Sequence, residues 1–233
     1  MDASPRPNWV YRTAKRIVRG LLWLLYRVEV QGAERVPRDG PVVIAANHHS
    51  FIDPLVIGVV LPRPIAFIAR GDLFRVPGLG WLLRKLYAIP VERGSGDLAA
   101  VKAAIRALRA GMAFGIFPEG RRSRSGHLEP FKTGAAAIAM RTGARIVPVA
   151  IVGTREIWPP GRRPRLGGKI RVLIGDPIDL GDAKGRLDKA HLEAATRQIE
   201  AAVARLLPED YLPEGYLKKT TLQQETPENA DQA

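Results

Sequence analysis

Histidines, a serine and an aspartate crowd together in Asn47-His48-His49-Ser50-Phe51-Ile52-Asp53-Pro54, directly after the apolar run Val42 to Ala46. That run reads as a strand, and the ends of parallel strands are where sites form. Asp53-Pro54 reads as a helix start, with the carboxylate as cap and proline at the first helical position. His48 lies five residues earlier, in the approach to that helix. Asp53 can then accept a hydrogen bond from one imidazole nitrogen and leave the other facing a cleft, which makes a general base. Three other readings stay open. Asp53 is then only a cap; or His48, His49 and Asp53 ligate a metal, although no third external ligand is evident beside the remaining histidines, His127 and His191; or Ser50 is a nucleophile, although no G-x-S-x-G turn surrounds it.

A second group follows the apolar run Ala113 to Phe117, as Pro118-Glu119-Gly120-Arg121-Arg122-Ser123. Gly120 permits close backbone approach to a ligand. Arg122, with Arg93 from an earlier loop, suits the clamping of a phosphate, and Glu119 suits a hydroxyl or an arginine partner. The alternative for Arg121 to Arg124 is a solvated loop. Phe131-Lys132-Thr133-Gly134 opens the next helix, whose amides are expected to add to an anion site.

Four blocks in order resemble the glycerolipid acyltransferases. Asn47-His48-His49-Ser50-Phe51-Ile52-Asp53 is similar to their N-H-x-S-x-x-D block. Arg70-Gly71-Asp72-Leu73-Phe74 through Pro77-Gly78-Leu79-Gly80 and Ala88-Ile89-Pro90-Val91-Glu92-Arg93-Gly94 are similar to their second region. Phe117-Pro118-Glu119-Gly120-Arg121-Arg122-Ser123 resembles F-P-E-G-T-R-S, with Arg121 in place of threonine, and Ile146-Val147-Pro148-Val149-Ala150 their apolar block. The resemblance spans residues 31 to 180. It implies acyl transfer from a thioester to a lysophospholipid, typically a 1-acyl-sn-glycerol-3-phosphate, with His48 and Asp53 catalytic and Arg93, Glu119, Gly120 and Arg122 binding the acceptor. It also implies no cofactor and no metal: the donor is acyl-CoA or acyl carrier protein, and the acceptor's own hydroxyl replaces a serine nucleophile. The alternatives carried beside it are another lysolipid acceptor and a peripheral lipid-binding protein without catalysis.

These residues need a frame. Strands are predicted at Val42 to Ala46, Ile65 to Ala69, Ala88 to Val91, Ala113 to Phe117, Ile146 to Val152 and Ile170 to Ile174, several apolar on both faces. Helices are predicted over Asp97 to Ala110, Phe131 to Arg141 and Leu187 to Leu207. Alternation of the two implies an α/β fold, with a mostly parallel sheet covered by helices on both faces. An N-terminal amphipathic helix is expected to precede it, with Val10, Ala14, Ile17, Leu21, Leu24, Leu25 and Val28 opposite Arg12, Lys15, Arg16, Arg19 and Arg27, and aromatic rings near its ends. The expected division is a membrane-contact helix over 1–30, a catalytic domain over 31–207 and a polar, disordered tail over 208–233.

Composition supports a globular body: 233 residues, 46% hydrophobic and 25% charged. Cysteine is absent, which excludes disulfides, thiolate nucleophiles and cysteine-rich zinc sites. The net charge of +13 calls for anionic partners, and 27 of the 36 basic residues are arginine. No RNA- or DNA-binding module accompanies that charge, so nucleic acid is not an expected partner. Leu21 to Tyr26 falls far short of the ~20 apolar residues of a spanning helix. Peripheral attachment to an anionic membrane surface, on the cytoplasmic face of the cell membrane, is expected instead.

Overall fold

The computed structural model describes residues 7–92, 96–181 and 187–216. In chain order the elements are α1 (Trp9–Leu25), β1 (Arg27–Gln31), β2 (Val42–Ala46), α2 (Asp53–Val60), β3 (Ile65–Arg70), α3 (Leu79–Lys85), β4 (Ile89–Val91), α4 (Gly96–Arg109), β5 (Ala113–Ile116), α5 (Gly134–Thr142), β6 (Arg145–Val152), α6 (Thr154–Ile157), β7 (Lys169–Ile174) and α7 (Lys189–Ala204).

The strands form one seven-stranded sheet in the order β1-β7-β6-β2-β5-β3-β4. From β6 to β4 the neighbours are parallel; β7 pairs antiparallel with β6, and β1 parallel with β7. All five residues of β2 are buried, because helices cover both faces of the sheet. The side chains of β2 alternate between the two cores. Val43 and Ala45 pack with Phe114, Ile138 and Ile199 under α4, α5 and α7. Val42, Ile44 and Ala46 pack with Leu22, Val56 and Ile57 under α1 and α2. The expected α/β fold with a mostly parallel, doubly covered sheet is therefore observed. At the end of the sheet where β2 and β5 begin, buried Arg63 donates to the carbonyls of Pro37, Gly40 and Gly111 and fastens three connections. This leaves the opposite end, where β2, β5 and β6 terminate, free to be shaped by longer loops.

Three expectations need correction. The N-terminal helix stops at Leu25, and residues 27–31 form an edge strand whose Val28 and Val30 pack on the core while Glu29 pairs with Lys169. Arg-Val-Glu-Val-Gln alternates with period two, a strand signal. On α1 itself, the core takes Val10, Tyr11 and Leu22, whereas Ile17, Leu21, Leu24 and Leu25 remain exposed. The helix thus carries two apolar stripes, which a wheel merges into one; only the nearer meets α2. The third correction concerns the C-terminal boundary. Glu209–Tyr211 form a 3₁₀ turn, and Tyr211 and Leu212 are buried in the core, so the folded body extends beyond residue 207. The predicted tail from Leu222 to Ala233 lies outside the described residues.

The Tyr211 hydroxyl accepts the Gly153 N–H at 2.9 Å and donates to Glu156, and burial pushes its pKa up to about 12. Tyr211→Phe leaves the Gly153 amide without that partner. The expected loss is about 1 kcal/mol, read as a lower urea midpoint with unchanged slope.

Candidate active site

Asp53 is wholly buried at the first residue of α2, with Pro54 in the first turn as expected. Its carboxylate does not reach forward to cap its own helix. It reaches back, and Oδ2 accepts the N–H groups of His49 at 2.8 Å and Ser50 at 2.7 Å. The same oxygen lies 2.8 Å from His48 Nδ1. A carboxylate can only accept, so Nδ1 carries the proton and Nε2 is left as the basic nitrogen. The His48 side chain keeps 17% of its surface exposed while Asp53 has none, which gives a base at the edge of a cleft and a sealed orienting group behind it. Phe117 stacks on the imidazole at 4.0 Å between centroids, and Phe67 stacks on Phe117.

Neighbouring polar residues hold this loop. Asn47 is buried and pairs with both the N–H and the C=O of Ile151, extending β2 by a side chain that imitates a strand residue. The Ser50 hydroxyl donates to the Trp158 carbonyl at 2.8 Å, which makes it a structural tie and removes the nucleophile reading. His49 is 1% exposed and its ring packs against Tyr211 at 5.3 Å. It therefore points into the body, away from the base. Among the described residues no three His, Cys, Asp or Glu side chains converge as a metal cage would require.

The second sequence group folds against the first. Gly120 has φ of +74°, the left-handed region where glycine is favoured, and a Cβ there would meet the Lys132 side chain at 3.0 Å. Arg122 lies over Phe51, with its guanidinium carbon 3.4 Å from the ring centroid, and its buried Nη1 has no partner among the described residues. That unspent donor beside His48's loop fits an anionic ligand. Arg121 instead pairs with Glu129. Glu119 was expected to meet an acceptor hydroxyl or an arginine. It is buried, and its two oxygens accept the backbone N–H groups of His48 at 2.6 Å and Glu129 at 3.2 Å. Burial pushes its carboxyl up to about 8, against the pull of those donors. The amides expected to be free before α5 are engaged: Phe131 donates to Glu200 and Lys132 to the Pro118 carbonyl. Arg93 lies outside the described residues.

An apolar cavity of about 210 Å³ opens beside this site, between α1, α2, α3 and β3. Pro54, next to Asp53, and Phe67, which stacks on Phe117, lie in its wall, as do Gly58, farther along α2, and Lys15 of α1, whose ammonium donates to the Leu61 carbonyl just past the end of α2. A side chain added at Gly58 would meet nothing within 4 Å. Sequence reading did not anticipate this cavity, since its walls come from segments far apart in the chain.

The model of the family described as Acyltransferase matches residues 27–152, more than half of the chain. The chain belongs to the acyltransferase family. A 1-acyl-sn-glycerol-3-phosphate acyltransferase of Bacillus subtilis is 31% identical over 84% of this chain and 96% of its own length. A chloroplastic 1-acyl-sn-glycerol-3-phosphate acyltransferase of Brassica napus is 34% identical over 67% of this chain, which spans 46% of that relative. The chain thus covers just under half of its plant relatives and nearly all of the bacterial one. In the crystal structure of the acyltransferase PlsC of Thermotoga maritima, the similarity extends over 84% of this chain and 79% of that one, with a TM-score of 0.70 and 30% identity. The resemblance drawn from four sequence blocks is borne out.

Burial pushes the His49 imidazole below its ordinary 6.5, with Arg155 adding to the effect and Asp53 opposing it. The folded state therefore binds this proton less readily than the unfolded chain, so its contribution is present above pH 6.5 and is lost as pH falls. His49→Leu should flatten the loss of stability below pH 6.5, measured by thermal melts across pH, and should leave activity largely intact.

Proposed function

We propose that this acyltransferase transfers a fatty acyl group from a thioester of coenzyme A or acyl carrier protein to the free hydroxyl of a lysophospholipid. The favoured acceptor is 1-acyl-sn-glycerol-3-phosphate and the product phosphatidic acid. The observation that carries this reading is a His48–Asp53 base set between an unpartnered arginine nitrogen and an apolar cavity. A phosphate suits the first neighbour and an acyl chain the second.

In the reaction, His48 Nε2 takes the proton of the acceptor hydroxyl as its oxygen bonds to the thioester carbonyl. The imidazolium is steadied by Asp53 through Nδ1–H. Collapse of the tetrahedral intermediate breaks the carbon–sulfur bond, and the proton passes to the departing thiolate. An ester and a free thiol result. Positioned base catalysis of this type contributes about 10²–10⁴ in rate. The acyl chain of the thioester occupies the cavity, and Arg122 clamps the acceptor phosphate; Arg93 is proposed for the same phosphate on its motif position.

The membrane surface is the proposed source of the acceptor. Among the described residues no helix is long and apolar enough to cross a membrane. The sheet end bearing the site is nevertheless rimmed with apolar side chains: Leu24 and Leu25 end α1, Phe51 follows β2, Leu73 and Val76 follow β3, and Leu166 precedes β7. The backbone joins two of these, since Gly167 N–H donates to the Leu25 carbonyl. Exposed Arg12, Arg16 and Arg19 on α1 and Arg162, Arg163 and Arg165 before β7 supply the charge that anionic headgroups attract, by about 1 kcal/mol each near the surface. A cytoplasmic face is proposed on the same basis.

Mass spectrometry of products from a lysolipid panel, with both donors, is the deciding assay. Phosphatidic acid from the lysophosphatidate is expected, and its absence with every donor sinks the reading. His48→Ala should lower kcat by about 10²–10⁴ without loss of fold. Arg122→Ala should raise the acceptor KM about tenfold or more and leave the donor KM unchanged, because a hydrogen bond to a charged group contributes about 1.5–3 kcal/mol. Gly58→Leu should shift donor preference toward shorter acyl chains. Binding to anionic vesicles should weaken at high salt.

A further inference from the structure

We propose that Glu119 is a positioning residue that holds the backbone of His48 in register with Arg122, and is not a ligand of the acceptor. This rests on His48 being the base of the proposed reaction. The carboxylate bridges two loops that are distant in sequence. Oε1 accepts the N–H of His48 at 2.6 Å and Oε2 the N–H of Glu129 at 3.2 Å. A second bond closes the clamp from the other side, since the N–H of Ser123 donates to the carbonyl of His48 at 2.8 Å. Both polar groups of the His48 backbone are therefore bonded to residues of 119–123, and Arg122 sits beside one of them.

The side chain of His48 is constrained independently, by Asp53 at Nδ1 and by the face of Phe117. Those contacts orient the ring; the backbone clamp sets where the ring is relative to Arg122. If Arg122 holds the acceptor phosphate, the distance from its hydroxyl to Nε2 is fixed through Glu119. Neither arginine of the loop engages the carboxylate, since Arg121 pairs with Glu129 and Arg122 lies over Phe51. With 4% of its surface exposed, Glu119 offers little access to a substrate hydroxyl. Displacement of a reacting group by about 1 Å lowers rate by roughly 10²-fold, which sets the scale of the effect.

Glu119→Gln is the direct test when made at pH 9, above the pKa of about 8 to which burial raises this carboxyl, because there its amide offers one acceptor where the carboxylate offers two, so one backbone N–H must face an NH₂ group. The expected result is a kcat lower by roughly 10²-fold, with acceptor and donor KM within about threefold of wild type. In ¹⁵N-labelled protein without substrate, the His48 Nδ1–H and backbone amide resonances should shift, and the His48 amide should exchange with solvent faster. Glu119→Asp, too short to span both amides, should behave likewise. Should Glu119→Gln not fold, the wild-type protein carrying ¹³C-labelled glutamate carboxyls serves: saturation with lysophosphatidate should leave the Glu119 resonance in place. A raised acceptor KM at unchanged kcat, unmoved His48 resonances, or a Glu119 signal displaced by the acceptor would each overturn the proposal. The His48 measurements need no turnover, so absence of acyl transfer would count against the reaction alone, whereas normal chemistry with an undisturbed His48 would count against the clamp alone.

Discussion

One carboxylate oxygen organises this molecule. Oδ2 of Asp53, wholly buried, receives His48 Nδ1–H and the amides of His49 and Ser50. A charge removed from water is costly unless donors surround it, and here the chain supplies them by curling residues 47–52 around the start of α2. Bonds from Asn47 to Ile151, from Ser50 to Trp158 and between the His48 backbone and residues 119 and 123 hold the curl from outside, but only Asp53 joins three of its members to one another. Satisfying the aspartate thereby sets the tautomer of the base, the exit angle of β2 and the direction of α2. The direction of the helix and the His48–Asp53 pairing are consequences of the same three bonds.

The second loop inherits its place from the first. Ser123 and Glu119 bond to the backbone of His48, Phe117 stacks on its ring, and Arg122 lies over Phe51 from the same curl. Farther out, Arg155 donates to the carbonyls of Ser123 and Arg124, and Leu128 donates to the Tyr211 carbonyl. Three separate stretches of chain, the curl at His48 to Phe51, Arg155 and Tyr211, are thus tied to one loop over residues 117–129. Arg122 Nη1 is buried without a partner among the described residues, as are both ring nitrogens of His49 and Oδ1 of Asp53; of these, it is the charged donor, the kind of group that an anionic ligand would satisfy.

How far the sequence reveals this depends on the range of the interaction. His48 and Asp53 are five residues apart, so their pairing is a local matter and was legible from helix-start chemistry. The strands of the sheet centre were legible because burial on both faces leaves them continuously apolar. Glu119 was legible as a site residue but its partners were not, since an amide 71 residues away leaves no pattern in the neighbourhood of the glutamate. Asn47 and Ser50 hid for the same reason, their partners being main-chain groups of β6 and of Trp158. β1 hid behind the apolar end of α1, and the packing of Tyr211 behind the polar residues that surround it.

The apolar cavity gives α1 two tasks at once. Its inner face contributes Tyr11, Ala14, Lys15 and Val18 to the cavity wall, while Ile17, Leu21 and Leu24 stay exposed on the outside. An ordinary surface helix has one apolar stripe; a second stripe exposed to water is costly at about 25 cal/mol per Å² and calls for an apolar surroundings. On the proposed reading, the bilayer covers the outer stripe and the donor's acyl chain covers the inner one. Lys15 bridges the requirements: its stem lies along the cavity and its ammonium is tied to the end of α2, while burial lowers its pKa with a further push from Arg19. On that same proposed reading, attachment to a membrane and the shape of the acyl site are joined through one helix. The geometry of that joint is fixed at the two ends of α1, where Asn8 bonds to the Lys85 carbonyl and to the Tyr87 hydroxyl, and where Leu25 accepts from Gly167. A helix pinned at both ends cannot lift from the sheet without breaking these bonds, so the cavity keeps its walls whichever surface the outer stripe meets.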